Sequence, residues 1–209
     1  MRVVAGPDGS KTFQQAELDR HADALLRFGE QAGNTAIRHK VCTLILRSPA
    51  SAPAQALMTT QTALADAGIR ARVILAKLEP EQHLRELCAT LAVLGPGTDR
   101  GALIRWARNP RLWDAHEQAA YGPDMCWSGD PIRRDADKRN PLALFETAAD
   151  AALRAAHAFK ALWGACVPVP AHLFNAGPRT TRARTPEGAT DSTVTAPRPI
   201  AEVWPLVRH

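Results

Sequence analysis

Val41-Cys-Thr-Leu-Ile-Leu-Arg47, Ser48-Pro-Ala-Ser51 and Ile69-Arg-Ala-Arg-Val-Ile-Leu-Ala76 decide the fold. The first and last are short apolar runs, rich in β-branched side chains, with the length and composition of buried strands. The serine–proline stretch is turn and helix-cap chemistry. Residues 52–67 read as a helix ending at Gly68, where glycine suits a left-handed C-terminal cap. Strand, helix and strand within about 35 residues make a βαβ unit, with parallel strands and a right-handed crossover. The expected class is α/β, a mixed and largely parallel sheet flanked by helices.

Working outward, residues 1–9 read as a flexible N-terminus. Ser10 is expected to cap a helix reaching about Gly33, with Phe13, Leu18, Ala22, Leu25 and Leu26 near helical spacing. Downstream, Glu79-Pro-Glu81 opens another helix, with Pro80 in its first turn and Leu84, Leu87, Cys88, Leu91 and Leu94 as its buried stripe. Residues 102–107 are expected to be a third strand rather than a short helix, and residues 111–120 are ambiguous, although Leu112, Trp113, Ala115 and Ala119 suit a helix by propensity. Gly122-Pro-Asp124 is turn chemistry, after which Met125-Cys-Trp127 reads as the returning arm of a hairpin. An alanine-rich helix is expected over residues 142–163, with Leu144, Ala148, Ala152, Ala156, Phe159 and Trp163 on one side. Pro168 and Pro170 close a single domain of residues 10–175. Residues 176–209 lack apolar periodicity and read as a disordered tail. Its apolar end, Ile200-Ala-Glu-Val-Trp-Pro-Leu-Val207, suits docking on the domain or on a protein partner.

The chain of 209 residues carries a formal charge of +5 spread along its length. That permits an anionic partner, a phosphate-containing ligand or nucleic acid, without requiring one. Cys42, Cys88, Cys126 and Cys166 form no C-x-x-C pair and have no histidine at ligand spacing, so they read as small apolar residues rather than a metal site. No glycine-rich phosphate loop, G-x-S-x-G elbow or H-E-x-x-H motif is present, and no cofactor is implied. With neither a secretory h-region nor an apolar run of membrane-spanning length, the expected setting is cytoplasmic, away from membranes.

Residues 114–140 concentrate the groups that carry chemistry. His116 stands between Asp114 and Glu117, and a carboxylate beside imidazole orients it for nucleophilic work. Arg133, Arg134, Lys138 and Arg139 precede Asn140 at an expected helix entry, an arrangement suited to phosphate. Asp130, Asp135 and Asp137 are interleaved with them, so ion pairs on a solvated loop account for the same letters. Arg105 and Arg108 beside Trp106 offer a stacking surface, while Trp106, Trp113 and Trp127 read as a packing cluster. Ser48 and Ser51 stand at the carboxyl edge of the first strand, where they read as helix caps.

The order of elements, with His116-Glu-Gln118, Gly122-Pro-Asp124, Trp127-Ser-Gly129, Asn140-Pro-Leu142 and a closing run ending Phe159-Lys-Ala-Leu-Trp163, resembles one half of a phospholipase D-like domain. The resemblance covers residues 38–163. It implies a phosphodiester held by a lysine, a histidine nucleophile at His116, and a second histidine from another half or a partner chain. Gln118 stands in the lysine's place, Asp130 in that of the serine of a G-S pair, and Leu142 in that of a glutamate. Those departures remove the cation that stabilises a developing phosphorane and add a carboxylate where phosphate rests. The reading is therefore a non-catalytic binding or regulatory protein. Its ligand or partner is expected near Ser128, Asp130, Arg133, Arg134, Lys138, Arg139 and Asn140. The alternative is a phosphodiesterase or nuclease acting as a homodimer, with His116 as nucleophile.

Overall fold

The computed structural model describes residues 7–34, 40–134 and 144–175. The helices are α1 (Pro7–Asn34), α2 (Ala52–Thr59), α3 (Gln61–Asp66), α4 (Glu81–Leu94), α5 (Ala149–Ala165) and α6 (His172–Asn175). The strands are β1 (Val41–Leu46), β2 (Arg70–Leu75), β3 (Ile104–Trp106), β4 (His116–Ala120), β5 (Met125–Pro131), β6 (Leu144–Thr147) and β7 (Val167–Pro168). Short 3-10 turns, Arg100–Ala102 and Pro110–Asp114, flank β3.

The strands form one mixed sheet in the order β6-β5-β4-β1-β2-β3-β7. Its centre is the βαβ unit, with β1 and β2 parallel from Val41↔Arg70 to Leu46↔Leu75. Parallel pairing continues only into β3. The β4–β5–β6 meander is antiparallel on one side, and β7 is antiparallel on the other.

Strand alternation separates two cores. Cys42, Leu44, Leu46, Ala71, Val73 and Leu75 pack with side chains from α1, α2, α3 and α4. Ile45 and Ile74 point the other way, into a smaller cluster with Phe159 of α5. Ala120 and Cys126 meet Ala151 and Ala155 on that same helix. A fully buried leucine is worth about 1.5–3 kcal/mol. The leucine-rich side covered by α1 to α4 therefore carries most of the apolar stabilisation, while α5 shields the opposite side together with Leu112, Trp113 and Ile132.

Several local expectations change. The helix foreseen over residues 52–67 breaks at Thr60, because the Thr59 and Thr60 hydroxyls both donate to the Ala56 carbonyl, at 3.0 and 2.8 Å. Such back-bonding competes with the helical ladder and bends it. Gly68 has φ +71°, and the Ile69 N–H closes onto the Leu64 carbonyl at 2.9 Å, the cap expected there. Helix α1 starts at Pro7 rather than Ser10, and proline suits a first turn. Its buried stripe is His21, Ala24, Leu25, Phe28 and Ala32, with Leu26 left 38% exposed. The ambiguous stretch 111–120 forms the second 3-10 turn and β4.

The helix expected from residue 142 begins at Ala149, and Leu144–Thr147 is strand β6, paired with β5 through Trp127↔Phe145. Phe145 lies 5.0 Å from His21 and 6.5 Å from Trp127 between ring centroids. That aromatic burial outweighs the helix propensity of the surrounding alanines. Helix α5 buries Ala151, Ala152, Ala155 and Phe159, while Ala156 is exposed. Among the described residues no helix is long and apolar enough to cross a membrane. The predicted tail, residues 176–209, lies outside the described residues.

Candidate functional site

Sheet polarity brings together residues far apart in sequence. Strands β1, β2 and β3 end on one edge; β4, antiparallel to β1, begins there, and β5 ends there. The turn after β1, the start of β4 and the end of β5 thus converge at the carboxyl edge, where open α/β sheets bind ligands.

Glu117 is the best-anchored group at this edge. Its side chain is 1% exposed and shares a face with Ala119 and Tyr121, opposite to His116. Glu117 Oε1 accepts the Arg47 backbone N–H at 2.9 Å and the Ser51 hydroxyl at 2.8 Å. The Arg47 guanidinium lies 3.6 Å from Oε2 and donates to the Pro131 carbonyl at 3.2 Å. Ser51 therefore occupies the cap position of α2 without capping it; its hydroxyl ties the β1–α2 turn to β4. The sequence reading assigned Glu117 to His116 and missed Arg47. Neighbours on a strand project to opposite faces, so adjacency in sequence here means separation in space.

His116 is exposed, and its Nδ1 lies 2.9 Å from the Gly129 carbonyl. A carbonyl only accepts, so Nδ1 carries the proton and neutral imidazole keeps its lone pair on Nε2. Neither flanking carboxylate orients the ring: Asp114 pairs with Arg133 at 3.2 Å. The contact to Gly129 depends on an irregularity between β4 and β5. His116 faces Pro131 and Gln118 faces Ser128, leaving Gly129 and Asp130 opposite Glu117 alone. This β-bulge turns the Gly129 carbonyl toward the imidazole.

Gln118 and Ser128 are cross-strand partners on the α5 side, both half-buried. Asp130 accepts from Arg134 at 2.9 Å, with its carboxylate side chain 10% exposed. Arg133, besides its pair with Asp114, donates to the Pro110 carbonyl at 3.2 Å. The two described cations of the predicted basic segment thus already hold carboxylates, in keeping with the solvated ion-pair reading. Lys138, Arg139 and Asn140 lie outside the described residues. The structure brings His116, Ser128, Asp130, Arg133 and Arg134 to one edge and adds Arg47, Glu117 and the Gly129 carbonyl.

The expected tryptophan cluster does not form. Trp127 packs edge-on to His21 in the larger core at 4.7 Å, and Trp113 sits against the smaller one. Trp106 donates to the Ala76 carbonyl at 3.1 Å and carries Arg108 at 5.8 Å over its ring. Arg105 turns instead to Trp163, at 4.8 Å. Wholly unforeseen is His21, fully buried on α1 and hydrogen-bonded through Nδ1 to the Tyr121 hydroxyl at 2.6 Å. Burial pushes its pKa down to about 3 and holds the Tyr121 hydroxyl well above the usual tyrosine range. The available signal was its position one turn before Leu25 on the apolar stripe.

Among the described residues no group of three or more His, Cys, Asp or Glu side chains is placed to hold a metal ion. No protein-family model matches the chain, and neither a characterised protein nor a solved structure does.

Proposed function

We propose that this chain is a binding or regulatory protein on a phospholipase D-like scaffold, holding a phosphate-containing ligand at the carboxyl edge without cleaving it. The observation that carries this reading is charge balance around His116. Arg47 is matched by Glu117, Arg133 by Asp114 and Arg134 by Asp130, and Gln118 is neutral where the resembling family has lysine. A phosphorane gains negative charge as it forms, and cleavage needs preorganised positive charge that this edge does not concentrate. Binding needs less. The exposed Arg133–Asp114 pair is worth about 0–1 kcal/mol, so a ligand phosphate can displace the carboxylate and take its place on the guanidinium.

The anchored imidazole supports a second reading, a homodimeric phosphodiesterase. A proton held on Nδ1 by Gly129 leaves Nε2 as the nucleophilic lone pair. Hydrolysis of bis(p-nitrophenyl) phosphate separates the two. The binding reading expects no release of nitrophenol above buffer. Release that disappears in His116→Ala would establish the phosphodiesterase reading instead.

A further inference from the structure

Helix α5 crosses the sheet from β5 and β6 toward β3, and the sheet face it shares continues beyond it. Ile74 and Arg105 are register partners, so Arg105 lies on the face of Ile74. Arg70 and Arg72, at alternate positions on β2, lie there too. Both β2 arginines are exposed. Where α5 ends, Trp163 stacks on Phe159, with ring centroids 5.2 Å apart. The Arg105 guanidinium lies 4.8 Å and the Arg72 guanidinium 5.8 Å from the Trp163 ring.

Arg105 is fixed in place. Its Nη1 donates to the Trp163 carbonyl at 2.7 Å and its Nε to the Gly101 carbonyl at 3.3 Å, leaving Nη2 as a donor these bonds do not use. Together Arg72, Gly101, Ala102, Arg105, Trp163, Pro168 and Asp99 line a basin of about 300 Å³. Asp99 is the one carboxylate in this lining, and it accepts the Gly101 N–H at 2.8 Å. Among the described residues neither Arg72 nor Arg105 enters an ion pair. Two guanidinium groups thus converge on one indole with no carboxylate paired to either among the described residues, Asp99 being turned to the Gly101 N–H, unlike the arginines around His116.

We propose that the Arg72–Arg105–Trp163 basin, continued by Arg70, is a binding surface for single-stranded nucleic acid. Arginines two apart on a strand stand about 6.6 Å apart, and with Arg105 on the next strand they make a line of donors for successive phosphates. With the indole taken up by Phe159 and the arginines, the guanidinium laid over it offers its outer plane to an unpaired base. An acidic peptide would satisfy the charges but would leave that guanidinium plane unused. The inference does not depend on the reading of the His116 edge.

The test is fluorescence anisotropy of a labelled oligo-dT of fifteen nucleotides with the full chain, titrated at several salt concentrations. Two to three phosphate contacts give a slope of log K against log salt of about −1.4 to −2.1. Arg72→Ala, at a side chain with no protein acceptor, is expected to weaken binding several-fold and flatten that slope by about 0.7. Arg85→Ala, on α4 behind the opposite sheet face, removes the same charge and is expected to leave binding within twofold. Arg105→Lys keeps the charge but loses the planar fork, and is expected to weaken binding with little change in slope. The proposal is overturned by absence of binding at low salt, by equal losses for Arg72→Ala and Arg85→Ala, or by equal competition from oligo-glutamate. Melting temperatures measured alongside separate lost binding from lost folding.

Discussion

Glu117 is the side chain on which the carboxyl edge depends most. Removing one partner of a buried ion pair leaves an uncompensated charge and costs about 3–5 kcal/mol. Glu117→Ala is therefore expected to lower the unfolding free energy by that amount in urea titration, because Arg47, also buried, would lose its carboxylate. Asp114→Ala breaks only the exposed pair to Arg133, whose side chains are 59% and 70% exposed, and is expected to change stability by less than about 1 kcal/mol. Equal effects of the two would contradict the burial argument.

His21, through its burial, ties stability to pH. Its folded pKa is about 3, below the value near 6.5 of an unfolded chain. Between those values the unfolded state binds a proton that the folded state excludes. Stability is accordingly full above pH 6.5 and falls as pH drops through the window, by about 1.4 kcal/mol per unit. The rings around His21, those of Tyr121, Trp127 and Phe145, supply no charge to offset this, and the buried Glu17, one turn earlier on α1, is the carboxylate that acts on its partner Tyr121. His21→Asn retains a short polar group toward Tyr121 but does not titrate. Its stability is expected to fall less steeply than the parent's between pH 6 and pH 4 in parallel urea titrations, and identical slopes would refute this role for His21.

At the scale of elements, the hairpin β4–β5 turns on Gly122. Its φ is +82°, and a Cβ there would lie 2.6 Å from Phe28 Cε2. Gly122→Ala is expected to cost about 2–3 kcal/mol, combining left-handed strain with a clash into the α1 core. Gly164→Ala, in α5 with nothing near its added methyl, is expected to gain up to about 1 kcal/mol. Thermal unfolding of the pair reads both.

These elements also show what was legible. The β1 and β2 strands and the Gly68 cap are written in local composition, and the Gly122-Pro-Asp124 turn marks its hairpin. The break at Thr60 depends on two hydroxyls choosing the same carbonyl, which no periodicity reveals. Strand β6 was hidden in an alanine-rich run because its reason is Phe145 packing across the sheet on Trp127 and His21. In the site, the letters around His116 marked the right edge but paired the wrong groups. Reading residues 116–120 as a strand would have sent Glu117 to the opposite face and prompted a search for its cation, Arg47.

At the scale of the molecule, the sheet is shielded unequally, with α1 to α4 on one face and α5 on the other. The central ladders between β1 and β2 are expected to be the last to exchange amide hydrogens and the edge strands β6 and β7 the first, as native-state exchange would record. This frame gives a firm carboxyl edge on which His116 stands at a bulge, with a charge-balanced surround. The function proposed for this edge is to hold a phosphate-containing ligand without cleaving it. One NMR sample containing the chain and a dialkyl phosphate tests both halves, through the His116 ring proton and the 31P signal of the diester. A saturable shift of the His116 resonance, assigned by its loss in His116→Ala, is expected, with the diester signal unchanged over hours. No shift, or growth of a monoester signal that His116→Ala abolishes, would contradict it.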